Sequence, residues 1–95
     1  MTNHIRGDVP IVIDGVTRRL RLTFGALAEI EGALGSRDLG EMGARVARLN
    51  AGELRAVLAA LLRGAGEDGA WVDGAGVDLA AASRAIAAAF RGAIA

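Results

Sequence analysis

The stretch Val9-Pro10-Ile11-Val12-Ile13-Asp14-Gly15-Val16-Thr17-Arg18-Arg19-Leu20-Arg21-Leu22 decides the fold. Two β-prone runs flank Asp14-Gly15, a dipeptide suited to the positive φ angles of a two-residue type I′ turn, so a β-hairpin is expected over residues 8–22. With that loop Ile13 faces Val16, Ile11 faces Arg18, Val9 faces Leu20 and Gly7 faces Leu22, on a side that is apolar apart from Arg18. Pro10, Val12, Thr17, Arg19 and Arg21 fall on the opposite, mostly polar side. Pro10 cannot donate to a ladder, which places the first strand at an edge or turns the missing bond outward.

A hairpin of this size is marginal alone, so its apolar face needs a cover. Thr23 is suited to cap a helix over residues 24–34, with Phe24, Leu27, Ile30 and Leu34 as its apolar stripe and Gly35 as its left-handed stop. Glu29 and Glu31 take its wetter sides. A second helix over 39–49, capped by Ser36 or Asp38, carries Leu39, Met42, Val46 and Leu49, with Arg45 and Arg48 near its C-terminus, where the helix dipole favours them. Asn50-x-x-Glu53 is a capping-box pattern opening a third helix over 51–63, whose Leu54, Val57, Leu58, Leu61 and Leu62 make it the most buried expected element. A glycine-rich stretch from Gly64 to Gly76 follows and is expected to be an open loop. Asp78 then caps an alanine-rich helix over 78–93 that presents Leu79, Ala82, Ile86, Phe90 and the Ala93 or Ile94 position. The whole reads as one α+β domain spanning residues 1–95, an N-terminal β-hairpin packed on a small bundle of three to four α-helices.

Composition narrows the function. Of 95 residues 53% are hydrophobic but only 3% aromatic, so the core is built from aliphatic side chains. The 11 arginines balance 11 acidic residues, leaving no net field to draw the domain onto nucleic acid or anionic lipid. Absence of cysteine excludes a thiolate nucleophile and a zinc knuckle, and one histidine, His4, with no tyrosine leaves little for proton transfer. The polar start MTNHIRGD lacks the apolar core of a secretory signal, and no run approaches the roughly 18 apolar residues of a membrane span. A cytoplasmic protein without membrane or nucleic-acid partners is expected.

No motif supplies chemistry. The glycines of the 64–76 stretch match neither phosphate-cradle pattern, and a chain without lysine has no Walker lysine. Asp68, Asp73 and Asp78 lack the alternating ligand spacing of a calcium loop. Glu29 and Glu31, two apart on a helix, diverge, and neither Ser83 nor His4 has a relay partner. An enzyme, a cofactor and a metal site are therefore not expected, and a surface must carry the activity. Arg18, Arg19 and Arg21 form either a solvated strand face that discourages edge pairing or a contact for a phosphate or an acidic partner helix. Trp71 either folds back onto the core, the favoured reading, or marks an exposed contact. Arg19, Arg21 and Trp71 are the candidate partner-binding residues.

The order of hairpin, Thr23-Phe24-Gly25-Ala26-Leu27-Ala28-Glu29-Ile30-Glu31 and Leu62-Arg63-Gly64-Ala65-Gly66 resembles the small gene transfer agent family proteins, which are similar to phage tail assembly chaperones and are also labelled tail tube proteins. Arg6-Gly7-Asp8, Ile13-Asp14-Gly15 and Leu20-Arg21-Leu22 extend the resemblance over the first two thirds of the chain. It implies a tail assembly chaperone that binds the tape measure protein, and possibly other tail proteins, before tube subunits polymerise. It implies no active-site residues. The alternatives are a structural tail tube subunit and a small regulatory binding module. One hairpin is a poor supply of sheet for a tube, and the candidate helices begin with Leu39-Gly40-Glu41 and Ala51-Gly52-Glu53 rather than with the basic and amide side chains of a recognition helix.

Overall fold

The computed structural model describes residues 8–35 and 39–94. They form strands β1 (Val9–Ile13) and β2 (Val16–Leu20), helices α1 (Phe24–Leu34) and α2 (Leu39–Arg45), a 3-10 turn over Val46–Arg48, helix α3 (Ala51–Gly64), a second 3-10 turn over Ala70–Gly74, and helix α4 (Leu79–Ile94). This is the expected α+β hairpin-on-helices architecture. The second helix tightens into the 3-10 form after Arg45 instead of continuing unbroken to residue 49. The expected Gly7–Leu22 pair and the Ser36 or Asp38 cap lie outside the described residues.

Asp14 and Gly15 adopt φ of 52° and 77°, the double left-handed geometry of the expected turn. The register pairs Ile13 with Val16, Ile11 with Arg18 and Val9 with Leu20. Ladder bonds alternate in an antiparallel pair. Val9, Ile11 and Ile13 therefore turn their backbone groups toward β2, while Pro10, Val12 and Asp14 turn theirs outward. The Asp14 N–H accordingly reaches the Gly76 carbonyl at 3.4 Å, and on the far edge the Arg21 N–H donates to the Leu61 carbonyl at 3.0 Å. Pro10, which has no N–H, stands where the ladder asks for none. Ile11, Ile13 and Leu20 are buried against the helices, and Val16 stays partly exposed at the turn.

Helix α1 begins at Thr23, whose Oγ1 accepts from the Ala26 N–H at 3.1 Å, and stops at Gly35 in the left-handed region with φ 69°. Its buried line is Ala26, Ile30 and Leu34, with Leu27 beside it. The stripe expected from the sequence was wrong at one position: Phe24 is 93% exposed. At 3.6 residues per turn Phe24 lies about 200° around the helix from Ala26, on its far side.

Helix α3 runs through the middle of the molecule. The Asn50–Glu53 capping box opens it, with both reciprocal bonds formed at 2.8 and 3.1 Å. All residues from Val57 to Leu62 are buried, because α1, the hairpin, α4 and the second 3-10 turn pack around it. Its end is a Schellman motif: Gly66, at φ 89°, donates to the Arg63 carbonyl and Glu67 to the Leu62 carbonyl. Asp78 Oδ1 accepts from the Ala80 and Ala81 N–H groups and caps α4, which buries Ala82, Ala85, Ile86, Ala89 and Phe90. Leu79, expected in that stripe, is 59% exposed at the first turn, and Ala93 is exposed as well.

The glycine-rich segment is a packed strap, which corrects the expected open loop. A Cβ at position 64 would lie 2.2 Å from the Arg21 carbonyl oxygen, and one at position 69 would lie 2.7 Å from the Ala59 carbonyl oxygen. Glycine is used there for close backbone approach. Val72 is 4% exposed, and Gly76 donates its N–H to Asp14 Oδ1 at 2.8 Å, tying the strap to the hairpin turn.

These contacts set an order of stability that urea unfolding can read. Gly64→Ala should lower the midpoint, since a backbone carbonyl must move to admit the methyl group. Gly32→Ala, where nothing lies within 4 Å of the new Cβ, should raise stability by about 0.5–1 kcal/mol. Leu61→Ala should cost about 2–5 kcal/mol.

Candidate interaction surface

Asp8 immediately precedes β1, and extending the register by one pair beyond Val9–Leu20 sets it opposite Arg21. Arg21 Nε donates to Asp8 Oδ1 at 2.5 Å and its terminal nitrogen to Oδ2 at 3.0 Å, a bidentate clamp on a carboxylate that is 0% exposed. The hydrogen bond to Asp8 holds the Arg21 guanidinium above its usual pKa, against an opposing effect of desolvation. Arg19 reaches the same carboxylate only at 4.0 Å, and its side chain remains 53% exposed. Of the two candidate arginines, Arg21 is thus engaged within the fold and Arg19 is presented to solvent.

Trp71 folds back, the favoured of its two readings. It packs half-buried against the core, and Arg18 lies over its ring, 4.8 Å from the centroid. Arg18 also donates to Glu67 at 3.2 Å, while its Nε is buried without a hydrogen-bond partner. Arg18, the polar exception on the hairpin's apolar side, thereby covers an indole. Trp71 and Arg19 are consequently on different sides of the hairpin, and the structure does not assemble the three candidate residues into one cluster. Other arginines link helices: Arg45 donates to the Leu34 carbonyl at 2.6 Å and to Glu53 at 3.0 Å, and Arg63 pairs with Glu29. The Arg63 guanidinium is raised from its ordinary pKa, chiefly by the hydrogen bond to Glu29.

Two surface features escaped the sequence. Phe24 stands out beside Leu22, Leu27 and Ala93, forming an apolar hollow at the N-terminal end of α1. Its signal lay in the Ala26, Ile30, Leu34 spacing, which buries the helix without Phe24. The second feature is a groove between β1 and α4, bordered by Pro10, Val12, Thr17, Ala81 and Arg84; no sequence pattern pairs these elements. Among the described residues no cluster of three or more His, Cys, Asp or Glu side chains could hold a metal, and no helix is long and apolar enough to cross a membrane.

A small α+β domain of this kind offers an exposed aromatic, a strand edge and unsaturated arginine as means of contact. A family model described as phage tail tube protein, GTA-gp10, matches residues 6–95, and the chain belongs to that family. It is a protein of phage or gene transfer agent tails. No curated protein and no solved structure matches the chain.

The two hairpin arginines should respond differently to neutralisation. Arg21→Gln leaves the Asp8 carboxylate without its bidentate partner and should lower the thermal midpoint clearly, whereas Arg19→Gln should leave it nearly unchanged. Thermal melts followed by circular dichroism provide the comparison.

Proposed function

We propose that the protein is a tail assembly chaperone that binds the tape measure protein in the cytoplasm before the tube polymerises, acting through its surface rather than through catalysis. The observation that carries this reading is Phe24, an aromatic side chain 93% exposed at the start of a well-capped helix. Burying such a ring against a partner is worth about 1.5–3 kcal/mol, and with Leu22 and Leu27 beside it the hollow suits an apolar residue from the stripe of an amphipathic helix. A contact of that size is weak. Repeated along a long helical partner it gives retention by avidity and still permits displacement by tube subunits. Arg19 supplies an exposed cation for acidic side chains of the same partner or of other tail proteins, whereas Arg21 and Trp71 are held within the fold by Asp8 and Arg18.

The family's description favours a second reading, a structural tube subunit that stays in the tail. A tube wall needs sheet continuous between neighbours, and the described residues contribute two strands, which is why the chaperone reading is preferred.

Co-expression with the tape measure protein of the same particle tests the choice. The wild-type domain should be recovered with it. Phe24→Ser should reduce recovery several-fold, Arg19→Glu should reduce it less, and both variants should keep the wild-type circular dichroism. Arg21→Glu is a poor probe, because it would set two carboxylates face to face at Asp8. Finished particles should contain little or no copy of the chain; stoichiometric recovery from mature tails would establish the tube reading instead.

A further inference from the structure

The two edges of the hairpin are finished differently. On β2 the outward Arg21 N–H is taken up by α3 through Leu61. On β1 the outward groups are the Pro10 carbonyl and the Val12 N–H and carbonyl, and only the next outward position, Asp14, finds a backbone partner, Gly76. Among the described residues the Val12 N–H has no hydrogen-bond acceptor. The strap is extended at Ala75, with φ −85° and ψ 151°, and makes one strand-like bond to this edge. Asp78 then diverts the chain into α4, so the strand-like pairing that starts at Asp14 is discontinued before Val12.

Alongside the vacated edge runs the groove of about 770 Å³ between β1 and α4. Its floor is apolar, with Val12 itself 60% exposed, and its far wall is made of small residues, Ala81 and Ala85. Its charged groups are Asp78 and Arg84. The Asp78 carboxylate is committed to capping α4 through two N–H groups. Arg84 is exposed and makes no ion pair among the described residues, and Arg19 stands half-exposed on the same outer face of the hairpin. Among the described residues Arg84 is thus the charged side chain of the groove left without a partner.

We infer that the outer edge of β1 receives an extended, acidic segment of another protein, which adds as a third strand in the groove between β1 and α4. An incoming strand antiparallel to β1 exchanges both backbone bonds with Val12 and donates a third N–H to the Pro10 carbonyl. The missing N–H of Pro10 costs nothing to such a guest except one acceptor. Apolar side chains of the guest rest on Val12, and a carboxylate among its alternate residues pairs with Arg84. The site is separate from the Phe24 hollow, so it can be occupied whether or not the tape measure protein is the chaperone's client.

The test uses the full chain labelled with nitrogen-15 and two short blocked peptides, one alternating valine with glutamate and its twin alternating valine with lysine. The glutamate peptide should give saturable shifts at the Val12 amide and the Arg84 side chain, and should slow exchange of the Val12 amide roughly tenfold. Arg84→Glu should weaken it roughly twofold to fivefold, the worth of one exposed ion pair. Val12→Pro removes an outward N–H that the hairpin's own ladder bonds do not use, so it should keep the fold while weakening the peptide roughly tenfold. Equal binding of both peptides, absence of saturable shifts at Val12, or shifts confined to the Phe24 hollow would overturn the proposal. So would a concentration-dependent dimer in which a second copy's β1 already fills the edge.

Discussion

Where the chain leaves β2, the Arg21 peptide lies directly on the last turns of α3. Its N–H donates to the Leu61 carbonyl at 3.0 Å, and its own carbonyl oxygen sits where a Cβ on residue 64 would have to be. The hairpin can therefore approach the central helix backbone to backbone, and that closeness is what lets Ile11, Ile13 and Leu20 enter the core formed by α1, α3 and α4. A two-stranded ribbon has too little area to hold itself; here one edge is satisfied by a helix carbonyl and its turn by a strap that begins at the same helix end. The sequence of events at the end of α3, glycine at 64 for approach, glycine at 66 for the left-handed cap and Glu67 reaching Arg18, serves hairpin and helix together.

Much of this organisation was legible in the sequence wherever one residue answers to one local requirement. Asp14-Gly15 specifies its turn, Asn50 and Glu53 their capping box, and Asp78 its cap, and each element forms where those residues stand. The failures share a cause, which is dependence on a neighbour distant in the chain. Phe24 fits a helical stripe as well as Leu27 does, and only the direction from which α3 approaches α1 decides that Ala26 is buried and Phe24 is not. The glycines between 64 and 76 read as punctuation in one dimension, yet Gly64 and Gly69 are contact surfaces for Arg21 and Ala59. The candidate surface was half legible. Arg19 is exposed, but Arg21 is withdrawn by Asp8, which the register that sets Gly7 opposite Leu22 already places across from it on the polar side.

For a tail protein this arrangement separates holding the fold from making contacts. Arg21, Arg45 and Arg63 tie elements together, while Arg19 and Arg84 face solvent. Phe24 and the β1 edge lie on elements whose inner faces are fully packed, so a partner can come and go there without disturbing the core. That suits the chaperone role proposed above, in which the domain binds during assembly and is then displaced.

Native-state hydrogen exchange at the Arg21 amide is the most direct test of the central claim, that the hairpin is secured by its bond to α3. If it is, that amide should exchange only through global unfolding, at the same free energy as the amides of Leu61 and Leu62 inside α3. An Arg21 amide exchanging at the rate of an exposed turn, while those of α3 stay protected, would show that the hairpin opens independently and that the contact at Gly64 does not hold the two together.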